Sequence, residues 1–502
     1  MTKRILITAC WIGVLAAGAF LRFDSLADRP FHADEATGAR ITASRMESGS
    51  VTFDPKHYHG PLLADLAIPL CKSRGEDGWR EMSKSTLRAL PAIAGTLVLL
   101  LPLLWRKRFG DGPMLLAAAF MATSPLLVYY SRMFIHESLL VFFGMALWFM
   151  PRTAARRGLP GFLLGLMFAT KETFAISVLA WSGAAVLLAW ENRRSLDFTA
   201  IIRTWWIPAA LSLLAFILSA GFLYTDGLQH PRGALDAVRT FFVYETVEGH
   251  DKPFTYYLQL LALPQKSAGH WWFGTPLVLL ALWAVAATFR KDPEAAASRP
   301  FIHLLGWSAA GHLLIYSLFA YKTPWLACLP WAHVCVLAGF SLTGLSRQTM
   351  ASRIVLVALA GASVITQFQQ ARVATGRLAS DERNLFAYVP TRPDIEKLEA
   401  WLGALRTVAP SGTLERVAVI GREYWPLPWY LRSFEKTGYW YDPPPDLGKM
   451  PLVFAMPESV EEVMAALGGS HMPLPRGLRA GVPVYVFVRS DLWELWMKTE
   501  ER

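Results

Sequence analysis

Residues 159–190, LPGFLLGLMFATKETFAISVLAWSGAAVLLAW, form an apolar run whose only charges are Lys171 and Glu172. As one helix rising 1.5 Å per residue it would be about 48 Å long, against a hydrocarbon core of about 30 Å. The flanking basic residues decide between one span and two. Arg152, Arg156 and Arg157 precede the run, and Arg193 and Arg194 follow it. Short basic connections stay on the cytoplasmic side, so both ends are expected there. The chain then crosses outward and returns, with Lys171 and Glu172 at an outer turn.

Extending the same test along the chain gives apolar segments near 5–21, 87–105, 113–130, 138–151, 159–170, 173–190, 204–224, 272–289, 301–320, 325–345 and 353–368, about eleven spans. With the N-terminus cytoplasmic, the other basic connections fall on the same side: Arg106-Lys107-Arg108, Arg290-Lys291 with Arg299, and Arg347 with Arg353. The outer side then receives the first loop (22–86), Ser131 to Glu137, the Lys171-Glu172 turn, Thr225 to Trp271, Tyr321 to Pro324 and the tail after about 370. The first loop carries many Lys and Arg, but loops beyond about 60 residues are largely exempt from the charge rule.

Composition agrees. Of 502 residues, 53% are hydrophobic and 18% charged, with 20 Trp and a mean hydropathy of +0.31, too apolar for an ordinary soluble chain of this length. The net charge of +10 sits in short clusters between apolar runs and not on one face, which excludes nucleic acid as the expected partner. Cys10, Cys71, Cys328 and Cys335 show no CxxC spacing, so neither a disulfide framework nor a zinc knuckle is expected. Ile7 to Cys10 mimics a lipoprotein cleavage box, but the apolar run continues to Leu21, and an uncleaved first span in the plasma membrane is expected.

The tail alternates helical patterns (RPDIEKLEAWLGALR, ESVEEVMAAL) with β-like runs (ERVAVIG, PLVFAM, VPVYVFV). It reads as a small α/β domain, residues 370–502, outside the membrane and beyond a transmembrane part of residues 1–369. No Walker loop, GxGxxG or internal repeat accompanies it.

Chemistry concentrates in the first loop, FHADEATGARITASRMESGSVTFDPKHYHGPLL, residues 31–63. Acids and histidines beside a span are costly unless solvated or used. Asp34 precedes a helix-compatible stretch and suits an N-cap with Glu35 in the first turn. A carboxylate there also suits removal of a proton from an acceptor hydroxyl or amine, while its neighbour binds an acceptor or metal. His57 and His59 point the same way in an extended segment, and with a carboxylate they suit a divalent metal; His32, Lys56 and Tyr58 lie beside them. Arg132, Lys171 and Lys322 sit at three outer turns, each explicable as an interfacial or snorkelling cation. Together they face the acidic loop, an arrangement suited to an anionic phosphate donor and an activated nucleophile.

These stretches resemble a known pattern. HADEATGAR, DPKHYHGPLL, YYSRMFIHE, ATKET and YKTPWL are similar to motifs of the dolichyl-phosphate-mannose protein mannosyltransferase superfamily, glycosyltransferase family 39, with the GT-C fold. NLFAYVPTRPDIEKL and EYWPLPWYLRSFEKTGYW extend the resemblance to a prokaryotic branch of flippase-activity-associated proteins of N-glycosylation pathways. The resemblance implies inverting sugar transfer from a polyprenyl-phosphate donor to a lipid or protein acceptor outside the membrane. It places Asp34 as base and Glu35 as its partner. Where relatives with lipid-sugar activity carry Glu-Lys-Pro-Pro, this chain has His57, Tyr58, His59, Gly60 and Pro61, which removes a carboxylate from that position. A non-catalytic component of lipid-linked glycan flipping is the alternative. A transporter would place ionisable groups and helix breaks at mid-membrane, whereas here the charges gather at outer ends.

Overall fold

The computed structural model describes residues 2–50, 52–194, 196–243, 251–290 and 293–500; Lys291, expected in a basic connection, and residues 244–250 of the connection expected from Thr225 to Trp271 lie outside them. Each apolar segment becomes a helix or a bent helix pair, because a span in lipid must satisfy its own N–H and C=O groups. Among the described residues, seven helices are long and apolar enough to cross a membrane: Arg4–Phe23, Lys84–Phe109, Phe174–Glu191, Phe198–Tyr224, Ala296–Leu318, Pro324–Leu342 and Met350–Thr375. Asp111–Thr123 and Pro125–Ser131 form an eighth, bent by 59°. Glu137–Trp148, Leu159–Thr170 and Thr275–Ala287 are shorter apolar helices. The bend follows from Pro125, which lacks an N–H and pushes its predecessor out of the helical region. Ser124 accordingly has ψ 118°, and its hydroxyl caps the next helix.

The run at 159–190 is indeed two helices, Leu159–Thr170 and Phe174–Glu191. The first packs on Phe198–Tyr224 through Gly161 and Gly165. A Cβ at Gly161 would lie 1.6 Å from the Ser212 carbonyl oxygen, and one at Gly165 2.0 Å from Ser219 Oγ. Small residues four apart let two helix backbones touch where no hydrophobic effect drives them together. On its other side Phe198–Tyr224 leaves Ile202, Leu213 and Leu218 more than 60% exposed. In water that surface would be an association hazard; in lipid it is the expected face, and the chain is a multi-pass membrane protein.

The first loop, the turns at 131–137, 171–173 and 321–324, and the tail gather at one end of the bundle, as their mutual bonds and the charges around Tyr321 show. The tail holds a five-stranded sheet. Its strands β3 (Arg416–Ile420), β4 (Lys436–Trp440), β5 (Leu452–Ala455), β6 (His471–Arg479) and β7 (Val482–Arg489) follow a two-stranded hairpin, β1 (Gln265–Ser267) with β2 (His270–Trp272). The order is β4-β3-β5-β7-β6. β4, β3 and β5 are parallel, while β5–β7 and β7–β6 are antiparallel, so the sheet is mixed. Alternation along the strands splits its core. Val417, Val419, Leu452 and Phe454 join the main apolar core, whereas Ala418, Ile420, Val453 and Ala455 pack beneath helix Val460–Leu467 in a second one.

The glycine crossing gives a test. Gly161→Val overpacks it and is expected to cost about 1–3 kcal/mol, read as a lowered thermal midpoint in detergent. Gly183→Ala, with nothing within 4 Å of the new Cβ, should leave the midpoint unchanged.

Candidate active site

The helix Ala33–Ser48 begins with a capping box built on an imidazole. His32 Nδ1 accepts from the Asp34 amide at 3.1 Å, and Glu35 Oε2 accepts from the His32 amide at 3.0 Å. His32 Nε2 donates to the Tyr388 carbonyl at 2.9 Å, which places the ring proton on Nε2. His32, and not Asp34, is therefore the cap. Ser, Thr, Asp and Asn lead at that position, which is why the sequence pointed to Asp34. With both nitrogens engaged, His32 is not a metal ligand.

The acidic pair is split between two environments. Glu35 is fully buried and receives Arg88 Nε at 2.7 Å and Nη2 at 2.8 Å, the Phe134 amide at 2.9 Å and, more distantly, Arg29 Nη2 at 3.5 Å. Burial pushes its pKa up, but the Arg88 and Arg29 charges and these bonds outweigh burial and bring it down to about 2. Arg88, also fully buried, gives its remaining donors to the carbonyls of Leu26, Arg29 and Pro30 at 2.7–3.0 Å. All five guanidinium N–H groups are thus committed to the entrance of the first loop. Glu35 is locked structure and has no capacity left for an acceptor or metal, contrary to the role the sequence suggested. Asp34, one residue earlier, has a side chain 54% exposed, with Oδ2 3.8 Å from His32 Nδ1.

Asp34 lies near enough to Tyr321 and Tyr388 for its charge to act on both phenols. Burial raises the Tyr321 pKa to about 12; Lys171 lowers it, and Asp34, Glu137 and Glu172 raise it, so these charges surround one recess. Burial also raises Tyr388, with Tyr321, Tyr256 and Asp34 acting in the same direction. Behind the recess, Lys171 Nζ meets Glu137 Oε1 at 2.6 Å and His59 Nδ1 meets Glu172 Oε2 at 2.9 Å. The His59 ring stands edge-on to His136 at 4.9 Å. Burial opposes ionisation of Glu172, yet His59 and then Lys171 hold it down at about 2. Gly60 seats this part of the loop: a Cβ there would lie 2.0 Å from the Ala169 carbonyl oxygen, so only glycine lets the HYHGP stretch touch the end of the helix below.

The remaining candidates divide. His57 turns to Asp54, 2.8 Å away, and not toward His59. Lys56 lies beside it and gives its amide to Asp54 at 2.9 Å, and Tyr58 is half-buried on the same turn. Among the described residues no three of His, Cys, Asp and Glu converge as metal ligands, which corrects the expectation of a shared His57–His59 site. Arg132 donates to the carbonyls of Leu21 at 3.0 Å and Ser25 at 3.3 Å, tying the first helix to the loop. Lys322 is buried and donates to Lys252 and Phe319 carbonyls. The three turn cations therefore do not form one open phosphate clamp; Lys171 alone of them borders the recess of Asp34. Tyr129 and Tyr130 are buried and donate to the carbonyls of Ala379 and Phe386. Arg88 escaped the sequence reading, although an arginine inside an apolar run is itself a signal.

No family model and no curated protein matches the chain. Among solved structures it is similar to ArnT from Cupriavidus metallidurans in the apo state, at 15% identity and a TM-score of 0.63, over 98% of each chain. The same protein bound to undecaprenyl phosphate gives 15% and 0.61, over 98% of this chain and 99% of that one. The Archaeoglobus fulgidus oligosaccharyltransferase in its apo form gives 12% and 0.54, over 87% of this chain and 65% of that one. At such identities the likeness is one of fold. The chain is a polytopic membrane protein with a C-terminal sheet, and its fold is that of the GT-C membrane glycosyltransferases.

Glu35→Gln should destabilise the protein by about 3–5 kcal/mol, because it leaves Arg88 buried without a counter-charge. The Glu35 pKa is depressed from 4.5 to about 2 on folding. Its contribution is therefore complete above pH 4.5 and is lost as pH falls toward 2. Thermal midpoints of wild type and variant should differ most at neutral pH and converge in acid.

Proposed function

We propose that this protein is a glycosyltransferase that moves a sugar from a polyprenyl-phosphate donor to an acceptor at the outer face of the membrane. The observation that carries the reading is the division of the acidic pair: Glu35 is locked beneath the loop while Asp34 stands open in the recess. Asp34 takes the proton of the acceptor hydroxyl or amine. The acceptor heteroatom bonds the anomeric carbon from the face opposite the phosphate, the carbon–oxygen bond to phosphate breaks, and the phosphate leaves with the electron pair, so the configuration inverts. Lys171 is the cation placed to stabilise charge developing on that phosphate. In the resting site Lys171 is paired with Glu137.

An apolar groove of about 530 Å³, lined by residues such as Leu258, Leu261, Val278, Leu282 and Leu313, supports a hydrocarbon-tailed donor. The structure of ArnT bound to undecaprenyl phosphate supports the same class of donor on this fold. We further propose that the N-terminus is cytoplasmic, that residues 22–86 and 370–502 lie outside the plasma membrane, and that the tail is a domain of its own.

Asp34→Asn should abolish transfer from a panel of polyprenyl-phosphate sugars with no change in thermal midpoint, since the cap belongs to His32. Undiminished turnover would remove Asp34 as base. Wild-type protein that transfers no sugar from the panel, yet is required for movement of lipid-linked glycans, would establish the flipping component instead. For topology, a single Cys replacing the exposed Glu399 should react with an impermeant thiol reagent in intact cells; protection there would place the tail inside.

A further inference from the structure

A cleft of about 540 Å³ opens between the first outer loop and the C-terminal sheet. Trp79 and Arg40 come from the loop, while Tyr424, Trp425 and Tyr439 come from the tail. The tail rings form a continuous aromatic surface. Tyr424 is 4.9 Å from Tyr439 and 6.2 Å from Trp425, which it meets nearly parallel at 28°. Tyr439 remains 38% exposed. Opposite them, the Trp79 ring is braced edge-on against Trp429 at 5.5 Å and lies under the Arg40 guanidinium at 5.4 Å. The two walls are tied at the rim by an exposed ion pair, Arg80 with Glu435, at 3.1 Å.

The charges of the cleft are balanced: Arg40, Arg80 and Arg432 stand against Glu47, Glu81 and Glu435. A site for phosphate or an acidic peptide would carry an excess of cations, and one for a hydrocarbon chain would lack charges altogether, as the groove among the membrane helices does. Flat aromatic faces ringed by both donors and acceptors match one chemistry well. A pyranose presents C–H groups on one face and hydroxyls around its edge. Each hydroxyl both donates and accepts, so carboxylates and guanidiniums can each bond it while the rings cover the apolar face.

We propose that this cleft binds a neutral oligosaccharide. Its binding stands on the cleft alone; that the oligosaccharide is the glycan part of the acceptor rests on the glycosyltransferase reading above. Placement agrees. Arg40 and Glu47 sit on the helix that Asp34 begins, and Arg40 is only about 9 Å of helix rise beyond that carboxylate. A glycan lying in the cleft thus touches the helix that presents the base.

The test uses the purified full-length protein and three soluble probes, mannotetraose, chitotetraose and maltotetraose, with binding read by saturation-transfer NMR and calorimetry. At least one probe should bind saturably. Trp425→Ala and Tyr439→Ala should each weaken it by at least tenfold, and the rim variants Arg80→Ala and Glu435→Ala, which lose only an exposed pair, by a few-fold. Asp34→Asn should bind as wild type does. Failure of all three probes, affinity untouched by both aromatic variants, or displacement of the saccharide by a proline-rich peptide that binds more tightly would overturn the proposal. The two readings fail separately. Saccharide binding without any sugar transfer would leave the cleft assigned and remove the transferase, whereas Asp34-dependent transfer without saccharide binding would do the reverse.

Discussion

The buried pair between Glu35 and Arg88 is the constraint on which the loop-and-tail end of the molecule depends. Removing two ions from water costs several kcal/mol each, recovered only when geometry is good and every remaining donor is satisfied. Here that condition is met completely. The carboxylate holds the guanidinium, the Phe134 amide and the start of its own helix, and the guanidinium holds three carbonyls of the loop entrance, those of Leu26, Arg29 and Pro30. One charge pair therefore sets the direction of the helix on which Asp34 stands. The group read as chemical is oriented by a neighbour that does no chemistry.

The same economy of charge recurs at each turn. Carboxylates meet a basic side chain at several of these turns: Lys171 with Glu137, His59 with Glu172 and His57 with Asp54. Ion pairs at partial burial interact strongly because water screens them little. On the proposed function, an incoming phosphate competes with Glu137 for Lys171.

Much of the architecture was legible because lipid permits few solutions: each apolar run had to be a helix, and basic flanks showed that 159–190 was two. The strands ERVAVIG, PLVFAM and VPVYVFV were legible from their β-branched runs, since they lie centrally in the sheet. β4 and β6 were not. They are edge strands, where KTGYW tolerates a glycine and HMPLPRGLR tolerates Pro473 and Pro475 because one side needs no ladder bonds. In the site, the location of the acids was legible and their division was not. That division depends on Arg88, 53 residues away, and the pairing of Lys171 depends on Glu137, 34 residues away. Local sequence contains neither distance. A histidine cap was equally hidden, because nothing in the pattern distinguishes His32 from Asp34.

Phe31, three residues before Asp34, has both backbone groups held by side chains of the tail. Its amide donates to the Tyr430 hydroxyl and its carbonyl accepts from Thr391, each at 2.9 Å. Tyr430 in turn donates to Glu396, which Lys84 also reaches at 2.7 Å. First loop and tail are thus joined as one unit. A chimera that keeps this membrane bundle and imports another tail would need to bring a phenol, an alcohol and a carboxylate at those three places, or leave the residue beside the acid helix with two unmet polar groups. Substitutions in the tail along that line are felt at the start of the helix that carries Asp34.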